Sequence, residues 1–192
     1  MLEAGGLVMN AALIADCRQS QLVVIDVQTK LASVMPNGAS AAIKNCSILM
    51  QAAALLEVPT VLTEQYPQGL GSTVPELSEH FNGKKPVEKT TFSCCATPAF
   101  LSQLSSDFSQ VILAGMESHI CVLQTALDLK ARGKTVFVVE DAVVSRSLEN
   151  KANALNRLRQ AGIIVTNTES VVFEWLGEAK GDAFKKISQL VR

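Results

Sequence analysis

The run Leu22–Val27, LVVIDV, is the feature that most constrains the fold of this chain. It is apolar on successive positions and carries a single acid, so neither face of such a strand is left to water. A strand covered on both faces belongs in a parallel sheet with helices packed on each side. Asp26 stands at its carboxyl end. Ligands of open α/β sheets bind outside the carboxyl ends of the strands, which gives that acid a functional reading. The competing reading is a cap or turn carboxylate that accepts nearby N–H groups. Gln28 follows, either to orient a ligand or to hydrogen-bond the loop.

The rest of the chain repeats the alternation. Asn37 to Ser40 supplies turn and cap residues ahead of an apolar-rich helix over Ala41–Leu56. Pro59 opens a strand through Val61 and Leu62, which runs into the Pro- and Gly-punctuated loop Thr63–Ser72. Glu64, Gln65 and Tyr66 stand at that strand's carboxyl end, as pocket wall or as solvated loop side chains. Gly69-Leu70-Gly71 lacks the Lys-Ser/Thr of a phosphate loop. Lys85–Ser93 reads as a short β segment, and Lys134–Glu140 and Ile163–Thr166 as strands. Asn150–Ala161, Glu169–Leu176 and Asp182–Val191 read as helices, the basic residues of the first being a solvated face. Six strands alternating with helices imply a parallel sheet with right-handed crossovers. Such a sheet gathers Asp26, Lys89 and the turn after Gly115 at one edge.

That turn carries a candidate nucleophile. Val111–Ala114 is a short apolar run, Gly115 breaks it, and Val122, Leu123, Ala126 and Leu127 then recur at helical spacing. With Ser118 as N-cap, Cys121 falls in the first helical turn, where unpaired N–H groups and the helix dipole favour an anion. A helix start and a nearby cation lower a thiol from about 8.5 to roughly 3.5–7.5. A buried structural cysteine explains the local pattern equally well. Lys89 has two readings too: a cation that holds the thiolate, or a solvated strand-end lysine, the commoner case for a lysine taken alone. Cys94 and Cys95 form no CxxC motif and read as packing residues.

Over 192 residues there is no repeat or low-complexity linker, which implies one domain spanning 1–192. Charged residues are 18%, below the usual share of about 25%. Together with a mean hydropathy of +0.24, that deficit points to surface buried in a homo-oligomer. A net charge of -1 offers no footprint for nucleic acid or an anionic membrane, so neither is an expected partner. No apolar run reaches membrane-spanning length. Five cysteines are an odd number, and the segment before Leu22 resembles neither a signal nor a transit peptide, so a reducing cytoplasm is the expected location.

Three stretches, LVVIDVQ, EKTTFS and AGMESHICVLQTALDL, resemble in order and spacing the isochorismatase-like hydrolases, the cysteine hydrolase superfamily. The resemblance runs from about Leu22 to Glu169 and points to the isochorismatase-domain-containing branch. It implies a three-layer α/β/α, Rossmann-like fold with a six-stranded parallel sheet. It also implies an Asp-Lys-Cys triad, carried here by Asp26, Lys89 and Cys121, with acyl or carbamoyl transfer to sulfur followed by hydrolysis. In that chemistry Asp26 takes the thiol proton and Lys89 stabilises charge. A non-proline cis peptide at Met116-Glu117 is implied as well, with the N–H groups of Glu117 and Cys121 as an oxyanion hole. Gln28, Gln65, Tyr66 and Phe92 are the candidate substrate-binding residues.

Two departures narrow the reading. Nicotinamidases of the superfamily carry a metal-binding Asp-x-His, but this chain has Asp26-Val27-Gln28 and only two histidines, His80 and His119. No metal and no other cofactor is therefore expected. Members that cleave isochorismate lack the cysteine, which is present here. The expectation is a metal-independent hydrolase of a small amide, carbamoyl or related C–N substrate. The alternative is a non-catalytic interaction or assembly scaffold that keeps the fold.

Overall fold

Every residue of the first strand, β1 (Ser20–Ile25), is buried. The computed structural model describes residues 13–35, 39–81 and 83–192. The further strands are β2 (Thr60–Gln65), β3 (Val87–Lys89), β4 (Gln110–Met116), β5 (Thr135–Val144) and β6 (Ile164–Thr166). They form one six-stranded sheet in the order β3-β2-β1-β4-β5-β6, with every pairing parallel. Short helices α1 (Thr29–Ser33), α3 (Pro67–Leu70), α4 (Pro75–Ser78) and α5 (Pro98–Leu101) lie in the connections. The longer ones are α2 (Ala39–Leu55), α6 (Leu123–Ala131), α7 (Leu148–Gln160), α8 (Thr168–Leu176) and α9 (Gly181–Leu190). No helix among the described residues is long and apolar enough to cross a membrane.

Successive strand residues point to opposite faces, and here both faces are dry. Leu22 and Val24 join Ile112 and Ala114 in a core that includes residues of α2, α8 and α9. Val23 and Ile25 join Val111 and Leu113 in a second core that includes residues of α5, α6 and α7. This is the physical origin of the unbroken LVVI run, and it makes the three-layer α/β/α fold that the resemblance implies.

The chain builds outward from β1 to β2 and β3 on one side, then from β4 to β5 and β6 on the other. The order therefore reverses between β1 and β4, and the crevice at their carboxyl ends is where such sheets bind ligands. Asp26 directly follows β1, and the turn that carries Cys121 follows β4.

Three details differ from the sequence expectation. The first long helix starts at Ala39, and Asn37 lies outside the described residues. Asp141 does not end its strand: the β4–β5 register shifts between Leu113 and Gly115, and β5 continues to Val144. The Asp141 carboxylate instead accepts the N–H and hydroxyl of Thr168 at 2.8 Å each, holding the start of α8. Nor does Gly115 break β4, which runs on to Met116. Its φ is 118°, and a Cβ there would collide with the backbone of Ile25. Only glycine meets both conditions.

Gly115→Ala is accordingly expected to cost at least about 3 kcal/mol, combining a forbidden conformation with a backbone clash between the two central strands. Urea unfolding followed by circular dichroism measures it. A midpoint within error of the parent protein would show that the two strands can separate freely.

Candidate active site

Asp26 sits in the left-handed region, at φ 53°, just beyond β1. Short polar side chains tolerate that conformation, and it lets the chain turn while the carboxylate stays under the sheet edge. The side chains of Asp26 and Lys89 are both completely buried, and the Lys89 ammonium donates to Oδ2 of Asp26 at 2.6 Å. The Thr63 hydroxyl donates to Oδ1 at 2.7 Å. Lys89 Nζ also reaches Gln65 Oε1 at 2.6 Å and the carbonyls of Thr91 and Phe92 at 3.2 and 3.3 Å. An ammonium has three N–H donors, so four acceptors saturate it. Burial alone would lower the Lys89 pKa; the charge of Asp26, the Cys94 and Cys121 sulfurs and the hydrogen bond to Asp26 together outweigh it, and the pKa is raised.

The segment after β4 begins with a cis peptide at Met116-Glu117. Ser118–Val122 then forms a π-helical turn that continues into α6, so Cys121 stands in the turn that leads from the end of β4 into that helix. Ser118 is not the cap the sequence suggested: Glu117 holds that position, and the buried Ser118 hydroxyl has no partner among the described residues. The extended geometry of Glu117 displaces the turn by one residue. The Glu117 carboxylate accepts the backbone N–H of Arg146 at 2.9 Å and its Nε at 3.2 Å, tying the turn to the end of β5. No described group accepts the Glu117 N–H, and the Cys121 N–H finds no acceptor outside its own turn.

Cys121 is 6% exposed. Its thiol is pushed up to about 12, first by burial, then by the Asp26 carboxylate, against the opposing charge of Lys89. This reverses the lowered value that a helix start beside a cation led us to expect. The physical reason is that Lys89 is already neutralised by Asp26, so the crevice offers the sulfur a dry, nearly neutral ion pair instead of a free cation. Cys94 and Cys95 are buried and pushed up to about 11 by the same desolvation, as packing residues are.

The remaining candidates divide. Gln28 is fully buried and its amide is occupied: Oε1 accepts the Gln65 N–H at 2.7 Å, while Nε2 donates to the carbonyls of Gln65 and Gly71 at 3.1 and 2.6 Å. It clamps the loop after β2, the second of the two readings the sequence left open. Gln65 orients Lys89 and donates to the Thr90 carbonyl at 2.8 Å. Tyr66 is exposed and lines a cleft beside Lys89, and Phe92 is exposed but meets Lys89 through its carbonyl. Thr63 was missed by sequence reasoning; its one signal is a hydroxyl on the same strand face as Gln65, at a strand end. Larger grooves, of about 490 and 590 Å³, run along α2 and are lined by none of these residues. Among the described residues no group of three or more His, Cys, Asp and Glu is arranged to hold a metal ion.

Comparison with known proteins agrees with this fold. A model of the isochorismatase domain matches residues 20–170. Isochorismatase domain-containing protein 2 of Danio rerio is 42% identical over 174 residues, covering 90% of this chain and 86% of the relative. The Bos taurus protein of the same name is 47% identical over 146 residues, covering 75% and 70%. Among solved structures, the MAR1 ribonuclease of Caenorhabditis elegans superposes with a TM-score of 0.87 at 40% identity, covering 93% of this chain and 92% of that one. YcaC of Pseudomonas aeruginosa, carrying covalent acrylamide, superposes at 0.84 with 25% identity, covering 92% and 91%. The Escherichia coli ycaC product, an octameric hydrolase of unknown specificity, has the same fold at 0.85 with 23% identity, covering 93% and 90%. The chain belongs to the isochorismatase domain family.

Proposed function

We propose that this protein is a cysteine hydrolase that cleaves a small amide, carbamoyl or related C–N bond through an acyl group carried on Cys121. The observation that carries the reading is the Asp26–Lys89 pair, bonded at 2.6 Å in full burial at the carboxyl edge of the sheet, where the turn bearing Cys121 follows β4. A thiol raised this far is protonated at neutral pH, so it needs a base at the moment of attack. Asp26 is that base. Each of its oxygens accepts one strong bond and keeps a lone pair free for the S–H proton.

The steps balance as follows. Sulfur attacks the carbonyl carbon while its proton passes to Asp26. The oxyanion is received by the N–H groups of Glu117 and Cys121. Asp26 returns the proton to the departing nitrogen as the C–N bond breaks, leaving a thioester. Water then attacks the thioester and gives a proton to Asp26, which passes it to the departing sulfur as the C–S bond breaks, releasing the acid product and restoring the thiol. Lys89, saturated by its acceptors, holds Asp26 in place and offsets its charge. The covalent acrylamide in the Pseudomonas aeruginosa relative supports an amide-sized electrophile meeting a nucleophile in this fold.

A second reading comes from the Caenorhabditis elegans relative, which is named a ribonuclease. Against it stand the net charge of -1 and an aromatic content of only 5%. A scaffold without turnover is the third reading, and a fully bonded buried ion pair is a costly feature for one to keep. The octameric Escherichia coli relative and the low charge content support assembly as a homo-oligomer. The reducing cytoplasm is its proposed location, consistent with five free cysteines among the described residues.

Screening small primary amides, ureides and single-stranded RNA in parallel tests the reaction. The expected outcome is an amide or ureide turned over at an unchanged rate after exhaustive chelation, and slowed about 10³-fold or more by Cys121→Ala. RNA cleavage that survives Cys121→Ala, or amide cleavage restored by zinc after chelation, rejects the mechanism. Lys89→Met is expected to abolish turnover and to destabilise the fold by about 3–5 kcal/mol, because it strands a buried carboxylate. Adding Asp26→Asn to it should recover much of the stability and none of the activity; equal stability of the single and double variants would show that the pair is uncoupled. Light scattering at micromolar protein should give more than one chain per particle, and a monodisperse monomer would reject the assembly.

A further inference from the structure

Two side chains of the turn that bears Cys121, those of Glu117 and His119, reach the same neighbour: the connection that leads from β5 into α7. The Glu117 carboxylate accepts the backbone N–H and Nε of Arg146. His119 Nδ1 lies 3.0 Å from the Ser145 hydroxyl, and its Nε2 lies 3.4 Å from Nδ2 of Asn150. Asn150 is itself placed by the helix cap, because its backbone N–H donates to the Ser147 hydroxyl at 3.2 Å. The imidazole is therefore gripped at both nitrogens, by the last turn of chain before α7 and by the first turn of α7 itself.

An amide nitrogen only donates, so His119 Nε2 accepts from Asn150 and the ring proton sits on Nδ1, directed at Ser145. Ser145 is completely buried, and its hydroxyl has no other partner among the described residues. A buried hydroxyl left unpaired bears its full desolvation cost, so the fold favours this one ring placement. His119 stands two residues after Glu117 and two before Cys121. Within the turn, the Glu117 carbonyl accepts the N–H groups of Ile120 and Val122 at 3.1 and 3.3 Å. Turns of this π-helical kind are rare and occur mostly at functional sites. The side chains that hold one decide where its N–H groups point.

We infer that His119 is a positioning residue of the reaction: held as its Nδ1–H tautomer between Ser145 and Asn150, it fixes the turn so that the Glu117 and Cys121 N–H groups converge on one oxygen. The inference rests on the hydrolase reading and adds to it the side chain that aligns its oxyanion hole. Donors stabilise an oxyanion when they are aligned before its charge develops, and a displacement of about 1 Å costs up to about 10²-fold in rate. His119 touches no reacting atom in this scheme. It acts through the backbone on either side of it.

Two reagents for the same sulfur separate alignment from packing. Acetaldehyde adds reversibly to Cys121: the C–S bond forms, the C=O π bond opens, and the thiol proton ends on the new oxygen, which faces the two N–H groups. Iodoacetamide alkylates the sulfur at a saturated carbon, with loss of iodide and of the thiol proton to buffer, and no oxyanion forms. His119→Ala is expected to weaken acetaldehyde about tenfold, read by NMR of the isotope-labelled aldehyde, while alkylation stays within about twofold of the parent rate. Ser145→Ala should weaken acetaldehyde similarly, and the two losses should not add in the double variant. His119→Asn carries an N–H as many bonds from the backbone as Nδ1 and should recover most of the affinity. The chain has only two histidines, so nitrogen-labelled imidazole spectra read the tautomer, which Ser145→Ala should release. Parent protein that takes up no acetaldehyde, unchanged affinity in His119→Ala, equal losses of affinity and alkylation rate, or a ring proton on Nε2 overturns the inference. Aldehyde binding that depends on His119 in a protein that cleaves no amide sinks the hydrolase and keeps the alignment, whereas amide cleavage indifferent to His119→Ala does the reverse.

Discussion

Two opposite charges, Asp26 and Lys89, meet at 2.6 Å with no water-exposed surface on either side chain, and the carboxyl edge of the sheet is arranged around them. Desolvating such ions costs several kcal/mol each, and their attraction repays this only when every remaining donor and acceptor is also bonded. That requirement is met residue by residue. Thr63 takes the second carboxylate oxygen, while Gln65 and the carbonyls of Thr91 and Phe92 take the remaining ammonium directions. Gln28 in turn grips the backbone of Gln65 from both sides. A glutamine in that position therefore serves the ion pair at one remove, by fixing the loop whose side chain fixes the lysine.

In the proposed reaction the same pair decides how the sulfur is activated. A cation beside a helix start favours a standing thiolate, but only a cation whose charge is not already met. Lys89 is met by Asp26, so burial and the carboxylate prevail and the Cys121 thiol is pushed up to about 12. In the proposed mechanism the site thus holds a protonated nucleophile against a base, and ionisation is tied to attack. This arrangement also shields the sulfur when no substrate is present, since a thiol is far less reactive than its anion.

Much of this was legible in the sequence. LVVIDV required a strand dry on both faces, the alternation that follows required a parallel sheet, and the strands and longer helices fall within a few residues of their expected bounds, whereas the short helices α1, α3, α4 and α5 in the connections were not foreseen. The residue types and order of Asp26, Lys89 and Cys121 were legible as well, through resemblance and through their positions at strand ends. What was not legible is how these groups are bonded. Asp26 finds Thr63 at 37 positions' separation and Lys89 at 63, and nothing near Asp26 in the chain specifies either partner. The slip in β5, the Asp141 bond to Thr168 and the crowding at Gly115 are likewise products of neighbouring strands and helices. Local sequence determines period, turn chemistry and which side chains stand at the carboxyl edge, because those depend on residues a few positions apart. Only the tertiary structure decides which of them are neutralised, buried or left free, because charge and solvation depend on whatever atoms the strand order brings within a few ångströms.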